Sequence, residues 1–178
     1  MAIDKILVPV DFSPCSDAAL DYALAVADEC GAEVEVLHVW SPRERKTPVP
    51  SGGRADEIDA EDGPTSEIFA ETPEGLAMEE RLSAAEWKHP ARVSGRLEFG
   101  EEPSSVILAI LERERFDLVV MGSEGEGHRH EHRERDSDGV LLSAPESGHV
   151  AASVAKTTAC KVVTRPPPAP PPDETEAA

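Results

Sequence analysis

The sequence predicts an α/β protein built on a parallel sheet with helices on both faces. Short apolar runs rich in β-branched residues, such as "KILVPVDF" and "DLVVMG", have the composition of buried parallel strands. Between them lie segments with apolar residues at helical spacing, such as "SPCSDAALDYALAVADECG". The two kinds alternate along 178 residues, and alternation leads each strand through a crossover helix into a parallel neighbour. The length suits one domain with a proper core.

The elements follow in order. Lys5–Phe12 is the first strand. Ser13 caps the next helix, with Pro14 at its first position. Ala19, Ala23 and Val26 recur at helical spacing beside Leu20, Leu24 and Ala27, and Gly31 closes the helix. Glu33–Trp40 is the second strand. Ser41–Glu71 is rich in Pro, Gly and acids and reads as a long, partly disordered loop. Thr72–His89 is a helix with Pro73 near its start, and Ala91–Gly100 a strand. "EPSSVILAILERERF" is a helix with Val106, Ile107, Ile110 and Leu111 inward and Ser104 and Ser105 as its capping residues. Asp117–Gly122 is a strand, a helix begins near Gly148, and Cys160–Arg165 is the last strand. The tail, 166–178, is proline-rich and then acidic, and is expected to be extended and unpacked.

Charge narrows the function classes. The chain carries 36 acids against 17 bases, a formal charge of -19, which repels phosphate backbones and argues against nucleic acid as a partner. Scarce lysine with excess acid suits a salt-rich interior, and a GC-rich coding bias gives the same signature. No run approaches the roughly 18–20 continuous apolar residues of a membrane span. The first residues lack the basic region and cleavage site of a signal peptide. A soluble, cytoplasmic protein is the expectation. Cys15, Cys30 and Cys160 are odd in number and widely spaced, so reduced and at least partly buried thiols are expected. Cys15 lies in the first turn of a helix, where the dipole favours a thiolate; a quiet, partly packed thiol is the expectation and a reactive one the alternative. Trp40 and Trp87 are expected to cover the edges of the core.

"MGSEGEGHRHEHRERDSDG" joins a glycine turn to a run of histidine, arginine and acid. Asp11, Val39 and Gly122 all fall at carboxyl ends of predicted strands, where open α/β sheets bind ligands. Asp11 has two readings: a strand-end carboxylate that orders the next turn, or a ligand contact. His128, His130 and His132 share one face of a strand, with Glu131 and Glu134 nearby, a spacing that suits zinc, nickel or copper. Runs of His, Arg and Glu are also common on solvated loops, and that is the expectation here, with no metal site.

"KILVPVDFSPCSDAALDYALAVA", "AEVEVLHV", "GEEPSSVILAILERERFDLVVMGSEG" and "GHVAASVAKTTACKVV" resemble, in that order, the universal stress protein family. The resemblance implies that family's five-stranded parallel sheet in the order 3-2-1-4-5. It implies a domain over 1–165, with 41–71 as an acidic loop and 126–147 as an enlarged phosphate-loop insertion. ATP-binding members carry Gly-x2-Gly-x9-Gly-Ser/Thr. Here Gly122-x2-Gly125 is followed by Gly148, with a spacer of 22 residues. His149 stands in place of the hydroxyl residue, and Glu124 adds an anion to the first turn.

By that resemblance Asp11 bonds the adenosine part of ATP and the Val39 backbone meets adenine, with Pro9 and Met121 at the same strand ends. Gly122, Gly125, Gly148, His149 and Val150 surround the phosphates. Glycines let backbone N–H groups approach, and a helix N-terminus supplies free donors. The implied function is a stress-response protein binding ATP or another adenine nucleotide, with Mg2+ as a companion, and pairing as a homodimer through the last strand. No nucleophile–base pair stands out, so catalytic residues are not expected, although weak ATP hydrolysis remains open. A nucleotide-free dimeric interaction module of the same fold is the alternative.

Overall fold

A computed structural model describes residues 2–40, 72–89, 92–123 and 149–166. The strands are β1 (Lys5–Pro9), β2 (Glu33–Trp40), β3 (Arg92–Phe99), β4 (Leu118–Gly122) and β5 (Lys161–Arg165). The helices are α1 (Pro14–Cys30), α2 (Pro73–Lys88), α3 (Pro103–Arg113) and α4 (His149–Thr157). All pairings are parallel, in the order β3-β2-β1-β4-β5. The expected fold class and strand order therefore stand.

Local chemistry explains most boundaries. The Ser13 side chain accepts from the Ser16 N–H, Pro14 opens α1, and Gly31 ends it in the left-handed region at φ 74°. Thr72 caps α2 by accepting from the Gly75 N–H, with Pro73 next. The strand expected over Lys5–Phe12 stops at Pro9, because the chain turns sharply at Asp11 and Phe12 to enter α1. The helix expected to reach Phe116 stops at Arg113. Its capping residue is Glu102, without a side-chain cap bond, and Ser104 is instead buried with its hydroxyl turned to the Glu102 carboxylate. The acidic loop over 41–71, most of the tail, and the insertion over 126–147 lie outside the described residues.

The central strand is apolar from Ile6 to Pro9 because both its faces are covered. Ile6 and Val8 pack under α1 and α2 with Val34, Val36, Met78, Ala85 and Val120. Leu7 packs on the other face with Leu37, Val39, Ile107, Ile110, Val119, Met121 and Val154, under α3 and α4. Each fully buried side chain of this size contributes about 1.5–3 kcal/mol. At the β3 edge, Gly95 makes room for α2: a Cβ there would stand 2.5 Å from Leu82 Cδ1.

The second face of β2 and β3 is partly sealed by charge. Glu35, nearly buried, pairs with Lys5 at 2.8 Å and with Arg96 at 3.1 Å. Arg96 also holds Glu98 and Glu114, each at 2.6 Å. Two expectations fail at the periphery. Trp87 is 90% exposed, because Met78 and Ala85 occupy the inward face of α2 and Trp87 points away from it. Cys30 is exposed at the last position of α1, while Cys15 is buried and Cys160 intermediate; none of the three forms a disulfide. Trp40 does cover a core edge, against Phe99 with ring centroids 5.5 Å apart.

Candidate functional site

β1 to β3 are laid down in one direction from the centre of the sheet, β4 and β5 in the other. The order of strands therefore reverses between β1 and β4, and a crevice opens at their carboxyl ends. Pro9, Asp11, Val39, Met121 and Gly122 all lie at that edge. Leu7 pairs with Val119, so the same register carried on brings Met121 level with Pro9. α4 starts at His149 and Val150, the residues expected beside phosphate. As a crossover helix it runs antiparallel to the strands and starts at their carboxyl edge. Gly125, Gly148, His128, His130 and His132 lie outside the described residues.

The turn after β1 is tightly specified. Val10 N–H donates to Leu37 O at 2.8 Å, the last link to β2. Asp11 Oδ1 accepts from the Ser13 N–H at 3.1 Å, so this carboxylate does order the following turn. Phe12 takes φ 62°, a left-handed conformation that favours glycine and costs an aromatic residue about 1–2 kcal/mol. Ser16 then donates twice to Ser13: its N–H to Ser13 Oγ, and its Oγ to Ser13 O at 2.9 Å.

Two side chains hold this turn that the sequence reading passed over. His38 is buried on β2, its Nδ1 2.9 Å from Val10 O. A carbonyl oxygen only accepts, so Nδ1 carries the hydrogen and donates. Burial lowers the His38 pKa, against the raising effect of the Val10 bond and of Glu74 and Asp11, and keeps the ring neutral near pH 7. The ring also lies against Phe12, centroids 4.5 Å apart. From α2, Arg81 grips Asp17 through both carboxylate oxygens, and its Nη2 donates to Phe12 O at 3.4 Å. Its guanidinium sits 5.1 Å from the Phe12 ring centroid. The available signal was a histidine set between the apolar residues Leu37 and Val39 at the end of a strand.

Val39 and Met121 turn their side chains into the α3–α4 core, leaving only backbone for the crevice. Leu37 O faces β1, whereas Trp40 O accepts from the Gly100 N–H on the β3 side. Strand alternation then directs the N–H and C=O of Val39 to the β1 side, beyond the end of β1 at Pro9. Gly122 is shaped by packing: a Cβ there would stand 2.9 Å from Cys15 Cβ and 3.0 Å from the Ser16 nitrogen. Among the described residues no group of three or more His, Cys, Asp or Glu is placed to hold a metal, and no helix is long and apolar enough to cross a membrane.

An open parallel α/β domain with its crevice at the strand-order switch is the class these features define. The chain belongs to the universal stress protein family, whose model matches residues 2–165. It is similar to universal stress protein UspA from Lactobacillus plantarum, at 22% identity and TM-score 0.64, covering 93% of this chain and 99% of that one. A universal stress protein solved in complex with cAMP is 20% identical, with TM-score 0.57 and coverage of 92% and 97%. The universal stress protein from Archaeoglobus fulgidus in complex with dAMP is 18% identical, with TM-score 0.52 and coverage of 93% and 99%. At these identities the likeness establishes the fold.

Proposed function

We propose that this chain is a stress-response protein that binds an adenine nucleotide, ATP with Mg2+ being the expected form, and holds it without efficient turnover. The observation that carries the reading is the meeting of the Asp11 turn, the β1-facing backbone of Val39 and the carboxyl end of β4 at Gly122 at one switch point. A carboxylate accepts from the hydroxyl and amine donors of adenosine, and strand backbone supplies the paired donor and acceptor that an adenine edge needs. Gly122, Gly125, Gly148, His149 and Val150 are the proposed phosphate surroundings, with free N–H groups at the start of α4 as donors. Two similar proteins solved with cAMP and dAMP support the adenine class.

Calorimetric titration with ATP and magnesium, at low and high salt, tests this. Wild type should bind. Asp11→Ala should weaken binding by about ten- to hundredfold, the loss of a charge-assisted hydrogen bond worth roughly 1.5–3 kcal/mol. Absence of binding by the folded wild type overturns the reading.

One observation favours the alternative, a nucleotide-free interaction module. The close approach of Gly122 to Cys15 and Ser16 already requires glycine there, without any phosphate. Purified protein that carries no ATP and takes up none would support this second reading.

A further inference from the structure

The turn bearing Asp11 is strained and is held from two sides. Among the described residues Phe12 is the only non-glycine with positive φ. A residue in that region persists only where its surroundings over-determine it. Here the surroundings are specific. His38 donates to the carbonyl just before Asp11 and stacks on the ring just after it. Arg81 donates to the Phe12 carbonyl, sits near the same ring, and is itself locked to Asp17 on α1. Residues from β2 and α2 thus fix the peptide units on either side of Asp11. The buried ring of His38 has only a few orientations, so its bond to Val10 O is well defined.

We propose that His38 and Arg81 are positioning residues for the nucleotide: together they clamp Val10–Phe12 and aim the Asp11 carboxylate at the adenosine moiety. This rests on the nucleotide reading above. Neither side chain need touch the ligand, since both act through the turn. The clamp also makes affinity depend on where α2 sits, because Arg81 is the contact that ties α2 to Phe12.

The test is a double-mutant cycle read by ATP titration, with hydrogen exchange at the Ser13 amide as a measurement independent of ligand. That amide donates to Asp11 Oδ1 and reports the aim of the carboxylate. His38→Leu keeps bulk but removes the donor, and should weaken ATP binding about tenfold, as expected for a lost hydrogen bond and a freed turn. His38→Asn places an N–H near the position of Nδ1 and should recover most of the affinity. Arg81→Met, at a half-buried position, should weaken binding severalfold. In the Asp11→Ala background neither His38→Leu nor Arg81→Met should cost anything further. Ser13 exchange should quicken in both variants and stay slow in His38→Asn. Equal losses with and without Asp11 would overturn the proposal, as would unchanged Ser13 exchange in both variants. If wild type fails to bind ATP, the nucleotide reading falls. Slow Ser13 exchange in wild type and His38→Asn, against fast exchange in the other two variants, would still support the clamp.

Discussion

Gly122 and Cys15 are in such close contact that a side-chain carbon on the glycine would lie 2.9 Å from the cysteine Cβ. The end of β4 is thereby pressed against the first turn of α1. The sequence reading assigned Gly122 to phosphate approach, and the contact supplies an independent reason for the same residue. Gly122→Val should destabilise the fold by roughly 1–3 kcal/mol, as overpacking does, lowering the melting temperature by several degrees. An unchanged melting curve would refute this contact. Any effect of Gly122→Val on ATP affinity must therefore be read only in the folded fraction, whereas Asp11→Ala adds no bulk.

Arg96 is the hub of the charge network over β2 and β3. Arg96→Met leaves the nearly buried Glu35 with Lys5 alone and strips Glu98 of a 2.6 Å partner. A loss of about 1–3 kcal/mol in urea unfolding at pH 7 is expected for a largely desolvated charge left under-paired.

Acid should narrow that difference. Arg96 first, and then Lys5, hold the Glu114 carboxyl below its ordinary 4.5. A carboxylate with a depressed folded pKa contributes stability above the unfolded value and loses it as pH falls through the folded one. The gap between wild type and Arg96→Met should be full at pH 7 and shrink below about pH 4. A gap of constant size from pH 7 to pH 3 would contradict the pairing.

β5 closes one end of the sheet, with Val162 and Val163 half-buried beside Val119 and Val120. Edge strands are commonly covered by pairing. The protein is expected to be a homodimer with these valines at or near the interface. Light scattering at micromolar concentration should return twice the chain mass of 19.1 kDa; a monomer would count against the pairing.

The sequence around His128, His130 and His132, rich in Arg and Glu, carries the expectation of a solvated run with no metal site. Replacing all three with Ser should leave melting temperature and ATP affinity nearly unchanged, because ordering three loop histidines around a metal costs conformational entropy first. Saturable zinc or nickel binding by wild type at micromolar affinity or better, with proton release, would establish a metal site instead.

Much of the fold was legible because its signals are local. Ser13–Pro14, Gly31 and Thr72–Pro73 mark helix ends within a few residues of chain, and β2 spans the expected Glu33–Trp40. Alternation of elements indicated a parallel sheet. The order of its strands came from family resemblance, since local pattern carries no information about which strand lies beside which. The candidate site was legible only in part. Asp11, Val39 and Gly122 could be placed at strand ends, but not the forces that hold them there. Those forces act between residues far apart in the chain: Val10 with His38, Phe12 with Arg81, Gly122 with Cys15. Trp87 and Ser104 fall in the same class, since an exposed tryptophan and a buried serine depend on which helix face meets the sheet. Sequence determined the elements, because capping and periodicity are short-range. Tertiary structure decided why Phe12 is strained and Gly122 must be small, because both follow from packing one element against another.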